Sequence, residues 1–548
     1  MRLARLTADS GSMPTVFRWY ATGLVKAWSA YDAFIYSFMS VNLVTLGLFA
    51  MSFAYAIPNG QLLAAVLFTG VAVTFLVIVY AALIAVIPRA GGDYTWQSRI
   101  LGGGIAFVLA MTGWWFILWH WTPIYANILV VQFIAPLLAT IGQQSAAAWF
   151  TTPTGIFVSC LITLAFVGVV VTLGMEAYAR IQKFCFYGGI LALLVLCVVL
   201  LMSSQSDFQS AFNREAASLF GARGDAYHQT IDLARRGGFA ATPFSFFAAG
   251  PSLLLVPFVA FYLLRPNWVA TMYGEVRNAR EYWRPFASMF FGLWITVILT
   301  AIVLLLTAKT MGWEFYNSAN SLFWNSTVPK APQPVIPVWP YPVLLAAWLI
   351  PNHAVQFLLV AVMGLWFFGW AGTLFLSSTR VIFAAAFDRV LPAWAANLSA
   401  NRRVPYGALV LMVVPSIVIS ALYAYRPGFS TYTLDATLVI AVTYLGTIIA
   451  ATILPWRRRD IFASSPIAQY RIAGIPIITI AGILTSAFLI YNLVKWATDS
   501  VYAVNNQSSA IYMGAMYLLA IAIYIVARVV RGRQGIDLAR IHAEIPVD

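Results

Sequence analysis

Charged residues are scarce in this sequence. Asp, Glu, Lys and Arg together make up 9% of its 548 residues, against about 25% in an ordinary soluble domain. Apolar residues make up 61%, and the mean hydropathy is +0.83. This composition excludes a soluble globular protein and indicates an integral membrane protein whose surroundings are a lipid bilayer.

Cysteine is also rare, which excludes two further kinds of structure. Cys160, Cys185 and Cys197 all lie in apolar stretches, and their spacing matches neither a disulfide framework nor a metal site. The first 30 residues lack the short apolar segment, followed by small residues, that marks a cleavable signal. We therefore expect packing roles for the cysteines and a cytoplasmic tail at residues 1–30.

Long apolar runs recur along the chain. A helix of about 20 residues crosses a hydrocarbon core of about 30 Å, so these runs predict about twelve membrane spans in an all-α protein. The spans are expected near 31–57, 62–88, 104–138, 153–174, 181–203, 244–273, 284–309, 353–379, 405–425, 434–455, 472–496 and 508–530.

Positive charges are concentrated in alternate loops. If both termini are cytoplasmic, the inner loops and tails hold most of the Lys and Arg residues, as the usual orientation rule requires. The net charge of +14 is therefore a signal of topology, and we expect no nucleic-acid partner. This predicts a multi-pass protein of the cell (plasma) membrane. The outer segments 204–243 and 310–345 are long and polar, and short helices covering the outer mouth are expected there.

Polar residues interrupt two of the predicted spans. The first contains Ser40, Asn42 and Thr45 between two apolar halves, and the sixth contains Arg-Pro-Asn at 265–267. Proline removes a backbone donor, so carbonyls near residue 262 lose their helical partner and must be satisfied inside the protein. Interrupted helices at corresponding positions of two halves indicate a transporter with inverted repeats. Helix contacts and a structural proline kink are the alternatives.

The spacing of the two interruptions suggests how the chain is organised. Because they fall five spans apart, the simplest architecture is a 5+5 inverted repeat with broken helices 1 and 6. The expected parts are a cytoplasmic tail at 1–30, a first repeat at 31–203, an extracellular loop at 204–243, a second repeat at 244–455, helices 11 and 12 at 456–530, and a cytoplasmic tail at 531–548.

Three loop stretches carry a resemblance to a known family. Residues 87–104 read IPRAGGDYTWQSRILGGG, residues 274–281 read GEVRNARE, and residues 378–410 begin STRVIFAAAFDRVLP. They resemble the segments after helices 2, 6 and 8 of the amino acid, polyamine and organocation (APC) transporter superfamily, although Ala279 replaces the proline of an E-V-K-N-P-type motif. The matching residues are Pro88, Arg89, Gly91, Gly92, Tyr94, Arg99, Glu275, Asn278, Arg380, Ala384, Asp388, Leu391, Pro392 and Pro405.

The resemblance covers nearly the whole chain and implies a leucine-transporter-like fold with alternating access. In the family, backbone groups at the helix 1 and helix 6 breaks hold the carboxylate and amine of an amino acid. Trp268 is then a candidate to close over the ligand, and His120 is a second candidate gate residue, with packing as the alternative for both. The implied substrate-binding residues are Met39, Ser40, Val41, Asn42, Thr45, Phe261, Tyr262, Leu264, Arg265 and Asn267.

Arg265 departs from the family pattern, which usually has a small residue at the helix 6 break. A charge at a helix centre costs about 2.5–3.5 kcal/mol on insertion scales. Every Asp and Glu falls in a loop, a tail or near a predicted helix end, so no carboxylate partner at mid-depth is predicted. Freed carbonyls, water, an anion or a ligand carboxylate remain as partners. A site role favours substrates with a free carboxylate, whereas a gate or scaffold role leaves substrate charge undetermined.

The sequence indicates no cofactor and no metal cluster, but it leaves the coupling ion open between sodium and protons. A sodium site would combine carbonyls of span 1 around Ser40 with the hydroxyl of Thr373, Ser377 or Ser378 in span 8. Some proton-coupled relatives have a lysine within helix 5, whereas this chain has only Lys183 at the inner edge of that helix. Structural roles for the hydroxyls are the alternative.

We interpret the chain as a secondary active transporter that moves amino acids or related amines. The alternatives are a permease for another small carboxylate-bearing solute and a non-transporting sensor with a transporter fold. A channel would need a continuous polar stripe along its spans. An enzyme would need paired carboxylates, a metal cluster or an activated nucleophile at membrane depth, and the predicted spans contain none of these. The oligomeric state is left open.

Overall fold

The computed structural model describes residues 22–246, 250–429 and 431–545. Within these ranges twelve helical segments are long and apolar enough to cross a membrane, which confirms the predicted number. Parts of both predicted tails and of the sixth predicted span lie outside the described residues. Numbered in chain order, spans 1 to 12 are Ala30–Met51, Leu62–Val86, Gly103–Thr140, Pro153–Thr172, Met175–Met202, Gly250–Met272, Trp283–Asn325, His353–Phe387, Tyr406–Tyr425, Asp435–Arg457, Ile477–Thr498 and Gln507–Arg533.

The spans differ in how deeply they lie in the bundle. In the most apolar part of each span, 89% of the residues of span 1 and 78% of those of span 6 are buried, but only 28% in span 9 and 17% in span 12. Spans 9 and 12 expose apolar side chains such as Val410 and Ile525. Spans 1 and 6 are therefore central, and spans 9 and 12 are peripheral.

Span 1 begins as a regular helix and then changes. Its α-helix Ala30–Val41 starts at a capping box, in which the Ser29 hydroxyl accepts a hydrogen bond from the Asp32 N–H and the Asp32 carboxylate accepts one from the Ser29 N–H. The helix ends at Asn42, whose φ of 49° lies outside the right-handed helical region. The rest of the span is a π-helical turn, Leu43–Gly47, and a short α-helix, Leu48–Met51.

Span 6 contains only a short α-helix. A 3₁₀ segment, Gly250–Leu255, leads into the α-helix Val256–Leu263, and a second 3₁₀ segment, Pro266–Met272, follows. The α-helix stops here because Pro266 has no N–H to donate to the carbonyl of residue 262. Regular α-helix therefore stops in both spans where the sequence places polar residues.

Three further spans are not single continuous α-helices. Spans 3 and 7 contain π-helical turns, and span 8 is divided at Gly364. The segments are Gly103–Met111, Thr112–Phe116, Ile117–His120, Trp121–Leu129, Val130–Ile134 and Ala135–Thr140 in span 3, Trp283–Thr307, Ala308–Gly312 and Trp313–Asn325 in span 7, and His353–Met363 and Leu365–Phe387 in span 8.

Short helices lie in both segments predicted as outer loops, as expected, and their covering of an outer mouth stays a prediction. They are Gln205–Phe220 and Ala226–Arg236 in the first, and Trp313–Asn325 and Pro342–Ala347 in or beside the second. Phe212 packs edge-on against Phe315 with ring centroids 4.8 Å apart, so the two segments form one layer. The other short elements are Ala54–Ala56, Gly92–Ile100, Gln144–Phe150, Ala393–Ala396, Arg459–Ala463, Ser500–Tyr502, Leu538–Ala543 and an antiparallel pair of strands, Arg471–Ile472 and Ile475–Pro476.

Several segments are tied together at the opposite end of the bundle. The Trp28 N–H donates to the Glu275 carbonyl, and the Arg277 N–H donates to the Trp28 carbonyl. The Arg531 Nε donates to the Arg389 carbonyl at 2.8 Å. We call this end the terminal face. It comprises residues 22–29, 87–102, 273–282, 388–405 and 534–545.

Candidate functional site

Side-chain amides form hydrogen bonds with the backbone groups that lose their helical partners at the interruption in span 1. Asn42 Oδ1 accepts a hydrogen bond from the Thr45 N–H at 2.8 Å, and Asn42 Nδ2 donates to the Trp366 carbonyl of span 8 at 2.8 Å. Gln132 of span 3 donates to the Thr45 carbonyl at 2.8 Å. These amides replace helical bonds that span 1 loses, and they fix the interruption to spans 3 and 8.

Carbonyls at the interruption in span 6 are also bonded by side chains. The Phe261 carbonyl accepts a hydrogen bond from Arg265 Nε at 2.8 Å. The Pro266 carbonyl accepts one from Ser37 Oγ of span 1 at 3.0 Å. Because a buried carbonyl without a partner is costly in lipid, these bonds stabilise the irregular backbone and join the two central spans.

The Arg265 guanidinium is buried among aromatic rings. Its Cζ lies 4.2 Å from the ring centroid of Trp121, 4.8 Å from that of Phe261 and 5.2 Å from that of Trp268. Such contacts contribute about 2 kcal/mol or more when desolvated. Within the described residues Arg265 forms no ion pair, and its Nη1 has no hydrogen-bond partner. The Phe261 carbonyl and the ring faces therefore stabilise the charge, and Nη1 remains available to donate a hydrogen bond.

Arg265 is part of a larger aromatic cluster, which we define as Trp121, Tyr125, Phe261, Trp268 and Trp370. The rings of Tyr125 and Trp370 lie 4.0 Å apart, and Trp121 lies 6.1 Å from Trp370. The indole N–H groups of Trp121 and Trp370 are buried without a hydrogen-bond partner. The cluster joins spans 3, 6 and 8, and it contains buried donors that a polar solute could engage.

The structure is closed around Arg265. A cavity of about 10 Å³ borders Arg265, Trp268 and Tyr444, which is about the volume that one water molecule needs. The guanidinium therefore faces spans 3 and 10 in a conformation with no room beside it for an amino acid. The sequence singled out span 3 only for its histidine, and it missed Trp121 because one chain does not show which side of span 3 faces span 6.

A carboxylate that the sequence places in a loop lies inside the bundle. Asp93 is fully buried in the helix Gly92–Ile100. Its Oδ1 accepts hydrogen bonds from the hydroxyls of Tyr80 and Thr447, each at 2.5 Å, and its Oδ2 accepts one from the Trp114 indole at 3.0 Å. These donors belong to spans 2, 10 and 3. The sequence matched this stretch to a family loop but gave no reason to count Asp93 among the site residues.

Trp268 and Asn267 connect Arg265 with the surroundings of Asp93. The Trp268 indole donates to the Tyr444 hydroxyl at 2.7 Å, and its ring packs 5.7 Å from that of Trp114. Asn267 is fully buried, and neither end of its amide makes a well-formed hydrogen bond, although the hydroxyls of Tyr80 and Tyr444 are close. Both predicted site residues therefore lie between Arg265 and Asp93.

Two buried ion pairs link segments at this end of the bundle, and residues of the resemblance form both. Arg99 makes a bidentate pair with Asp388, with nitrogen–oxygen distances of 2.5 and 2.7 Å. Arg380 pairs with Glu275 at 2.8 and 3.2 Å. The four side chains are at most 3% exposed. The pairs connect the loop after span 2 and the end of span 6 to span 8.

The proposed sodium ligands lie close together around one hydroxyl. Tyr36 of span 1 donates to the Thr373 carbonyl at 2.5 Å and lies 2.7 Å from Ser377 Oγ. Ser40 and Thr373 each donate to a carbonyl of their own helix. Among the described residues no group of three or more His, Cys, Asp or Glu could hold a metal ion. The hydroxyls therefore join spans 1 and 8, and an ion role for them stays a prediction.

His120 lies away from the aromatic cluster. Its Nε2 is 2.5 Å from the Tyr512 hydroxyl of span 12, and its ring stacks on Phe429 with centroids 5.6 Å apart. These contacts are those of a packing histidine between spans 3 and 12, and a gate role for it stays a prediction. Trp268, by contrast, lies inside the cluster.

The other predicted site residues are buried in the same region. Met39 lies against Gly369 of span 8, and the Tyr262 ring lies against Gly47 of span 1. The Tyr262 hydroxyl is 3.4 Å from Thr300 Oγ1 of span 7. Val41 and Leu264 are also buried. The structure therefore brings the predicted residues of spans 1 and 6 into one central region.

Comparison with known families decides the class of the protein. A family profile described as amino acid permease matches residues 28–527, which include all twelve spans apart from the last turns of span 12. The chain belongs to the amino acid permease family. That family is part of the APC superfamily, so the resemblance seen in the three loop stretches is confirmed. A search of curated proteins finds no match. The permease is thus a multi-pass membrane transporter.

Proposed function

We propose that the permease moves amino acids or related amines across the plasma membrane by alternating access, as a secondary active transporter. The observation that carries this proposal is the pair of interruptions in the two most central spans of a family member. Backbone groups at Asn42 and at Arg265 to Asn267 leave the α-helical pattern, and Ser37 of span 1 donates a hydrogen bond to the Pro266 carbonyl of span 6. Half-helix ends at such breaks line solute sites in transporters with inverted repeats.

In this proposal the first repeat is 31–203, the second is 244–455, and the last two spans are appended. The terminal face is cytoplasmic, which agrees with the excess of Lys and Arg in its loops. The ion pairs Arg99–Asp388 and Glu275–Arg380 close that face, and the aromatic cluster closes the centre. The conformation is then an occluded one, and the solute enters when the cluster opens.

We propose that Arg265 binds the carboxylate of the solute. Its Nε donates to the Phe261 carbonyl, whereas Nη1 is buried and has no hydrogen-bond partner among the described residues. A carboxylate at Nη1 would make a charge-assisted hydrogen bond, and at about 4 Å two unit charges attract by about 4 kcal/mol when the effective dielectric constant is about 20. The same observation also supports the second candidate, a permease for another small carboxylate-bearing solute.

Transport by purified protein in liposomes tests the proposal. We expect exchange or gradient-driven uptake of at least one of labelled L-alanine, L-glutamate and L-arginine, measured with a sodium gradient, a proton gradient and neither. Uptake driven by one gradient would identify the coupling ion. A protein that is folded and correctly inserted but moves none of the three would contradict the amino acid proposal and favour the carboxylate permease or a non-transporting sensor.

The substitution Arg265→Ala tests the role of Arg265. Arg265→Ala removes the free donor and the charge, so the Kd of carboxylated solutes should rise by about tenfold or more, because truncating a partner of a buried charge pair costs about 2–5 kcal/mol. Arg426→Ala is the matched control, since Arg426 is exposed at the end of span 9. Unchanged affinity in a well-folded Arg265→Ala protein would assign Arg265 to the scaffold.

A further inference from the structure

Asp93 is a buried charge without a buried counter-charge. Its three donors, Tyr80, Thr447 and Trp114, are all neutral. The only arginine on the same short helix, Arg99, is held by Asp388. Within the described ranges no lysine, arginine or histidine forms an ion pair with Asp93. A group in this position can change its charge without breaking a salt bridge.

We infer that the Asp93 carboxylate is the site at which the permease binds and releases its coupling proton, an inference that rests on the proposed transport function. The proton adds to one carboxylate oxygen when the solute is bound, and it leaves to the cytoplasm when the terminal face opens. No bond other than this O–H forms or breaks. The carried ion is thus H⁺, and the carrier is a residue of the loop after span 2.

The surroundings of Asp93 suit a proton better than a metal cation. The Tyr80 and Thr447 hydroxyls donate to Asp93 Oδ1 and the Trp114 indole donates to Oδ2, so protein donors occupy both carboxylate oxygens. Burial raises the pKa of the Asp93 carboxyl above its usual value, although the hydrogen bonds from Thr447, Tyr80 and Trp114 oppose the shift. Because its partners are neutral, the carboxyl can gain or lose a proton without breaking an ion pair, which suits a proton carrier.

The elements packed around Asp93 contribute few other groups that titrate. Span 2 contributes the Tyr80 hydroxyl, and span 10 contributes the Tyr444 hydroxyl. Span 3 contributes the neutral Trp114 and span 6 the neutral Asn267. Asp93 is the one carboxyl among these groups, so the proton uptake of this region is assigned to Asp93.

Arg265 supplies the link between proton and solute. Trp268 contacts the Arg265 guanidinium and also contacts Trp114 and Tyr444, which border Asp93. The positive guanidinium favours the ionised form of Asp93. A solute carboxylate at Arg265 cancels that charge, so Asp93 then takes up a proton more readily. Linkage is reciprocal, so proton binding also strengthens solute binding. Because each ligand strengthens the binding of the other, we expect proton and solute to move in the same direction.

Liposome assays with Asp93→Asn test the inference. The probe is whichever of L-alanine, L-glutamate and L-arginine the wild type exchanges. We expect the variant, whose amide cannot take up a proton, to keep exchange of this probe without a gradient but to lose accumulation driven by a proton gradient. Asp93→Glu should restore accumulation. Asp537→Asn, which removes an exposed carboxylate of the terminal face, should behave as the wild type.

A second variant keeps the test decisive if Asp93→Asn folds poorly. Thr447→Val removes one donor to the ionised carboxylate, so Asp93 should hold its proton to higher pH. In the wild type the Kd of the probe should fall by about fivefold or more from alkaline to acidic pH, which is the usual range of coupling between sites. In Thr447→Val the midpoint of this change should move to higher pH.

Three results would overturn the inference. They are proton-driven accumulation by a folded Asp93→Asn protein, accumulation that follows sodium in the wild type, and a pH midpoint that Thr447→Val leaves unmoved. Parallel loss of exchange and accumulation in Asp93→Asn, with an unmoved midpoint in Thr447→Val, would make Asp93 a structural link between spans. Failure of the proposed function gives a different result, because the wild type would then exchange none of the three probes.

Discussion

At the scale of single residues, the described part of the permease contains buried charged side chains, among them Arg265 and Asp93, that form no ion pair. Arg265 is stabilised by a carbonyl and ring faces, and Asp93 by neutral donors. Burying a charge in a membrane protein is costly, so such residues are rare and indicate functional positions. The two side chains therefore stand out from the ion-paired arginines of the terminal face.

The pH dependence of stability should reveal Asp93. Burial raises the pKa of its carboxyl, so the folded protein binds this proton more tightly than the unfolded chain does. The cost of burying the ionised carboxylate is absent below the usual carboxyl pKa and present in full above the raised one, so the stability contribution falls as the pH rises through that window.

Melting temperatures of detergent-purified protein test this sign. From acidic to neutral pH, the wild type should lose stability relative to Asp93→Asn, whose amide does not titrate. The difference between the two proteins isolates Asp93 from the other carboxyl groups. A difference that is constant with pH, or that changes in the wild type's favour as the pH rises, would contradict the shift.

At the scale of elements, the interruption in span 1 depends on one asparagine. Asn42 adopts a positive φ, which asparagine tolerates better than most residues, and its side chain makes two hydrogen bonds. Asn42→Ala should destabilise the permease by about 3 kcal/mol, the sum of backbone strain and two lost bonds. Thermal or chemical unfolding in detergent measures the change.

Asn59 provides the matched control for Asn42. It also has a positive φ, of 61°, but lies exposed before span 2. Asn59→Ala should therefore cost only the strain, about 1 kcal/mol. Equal effects of the two substitutions would mean that the side-chain bonds of Asn42 contribute little to the interruption.

At the scale of the whole molecule, the terminal face is closed by ion pairs between segments that are distant in sequence. Asp388→Asn leaves Arg99 buried without its partner and should destabilise the closed conformation by about 3–5 kcal/mol. The double variant Arg99→Gln with Asp388→Asn should lose less than the sum of the single variants, because neither charge is then left alone.

Accessibility of the terminal face measures this effect. In the single variant Asp388→Asn, a cysteine introduced beside the pair should react faster with a membrane-impermeant thiol reagent added from that face. Glu281→Gln is the control, because its pair with Arg284 is exposed and such pairs contribute about 0–1 kcal/mol. Equal labelling of all variants would show that these ion pairs do not keep the face closed.

The membrane class, the number of spans, the two interruptions and the family can all be predicted from the amino-acid sequence. These are local properties, because an apolar run of sufficient length must be helical in lipid and a proline must end the hydrogen-bond pattern where it stands. The loop motifs are likewise local, and they were enough to indicate the family. The predicted site residues of spans 1 and 6 needed only this local information together with the resemblance.

Which side chains contact each other depends on the tertiary structure and could not be predicted from the sequence. Trp121 and Arg265 lie on spans far apart in the chain, and the face that each presents depends on the packing of the whole bundle. Asp93 reads as a loop residue, yet its loop folds inward until three spans donate hydrogen bonds to it. The packing of the helices sets these distances. A hydropathy pattern predicts the length of a helix but not which neighbouring helices each of its faces contacts.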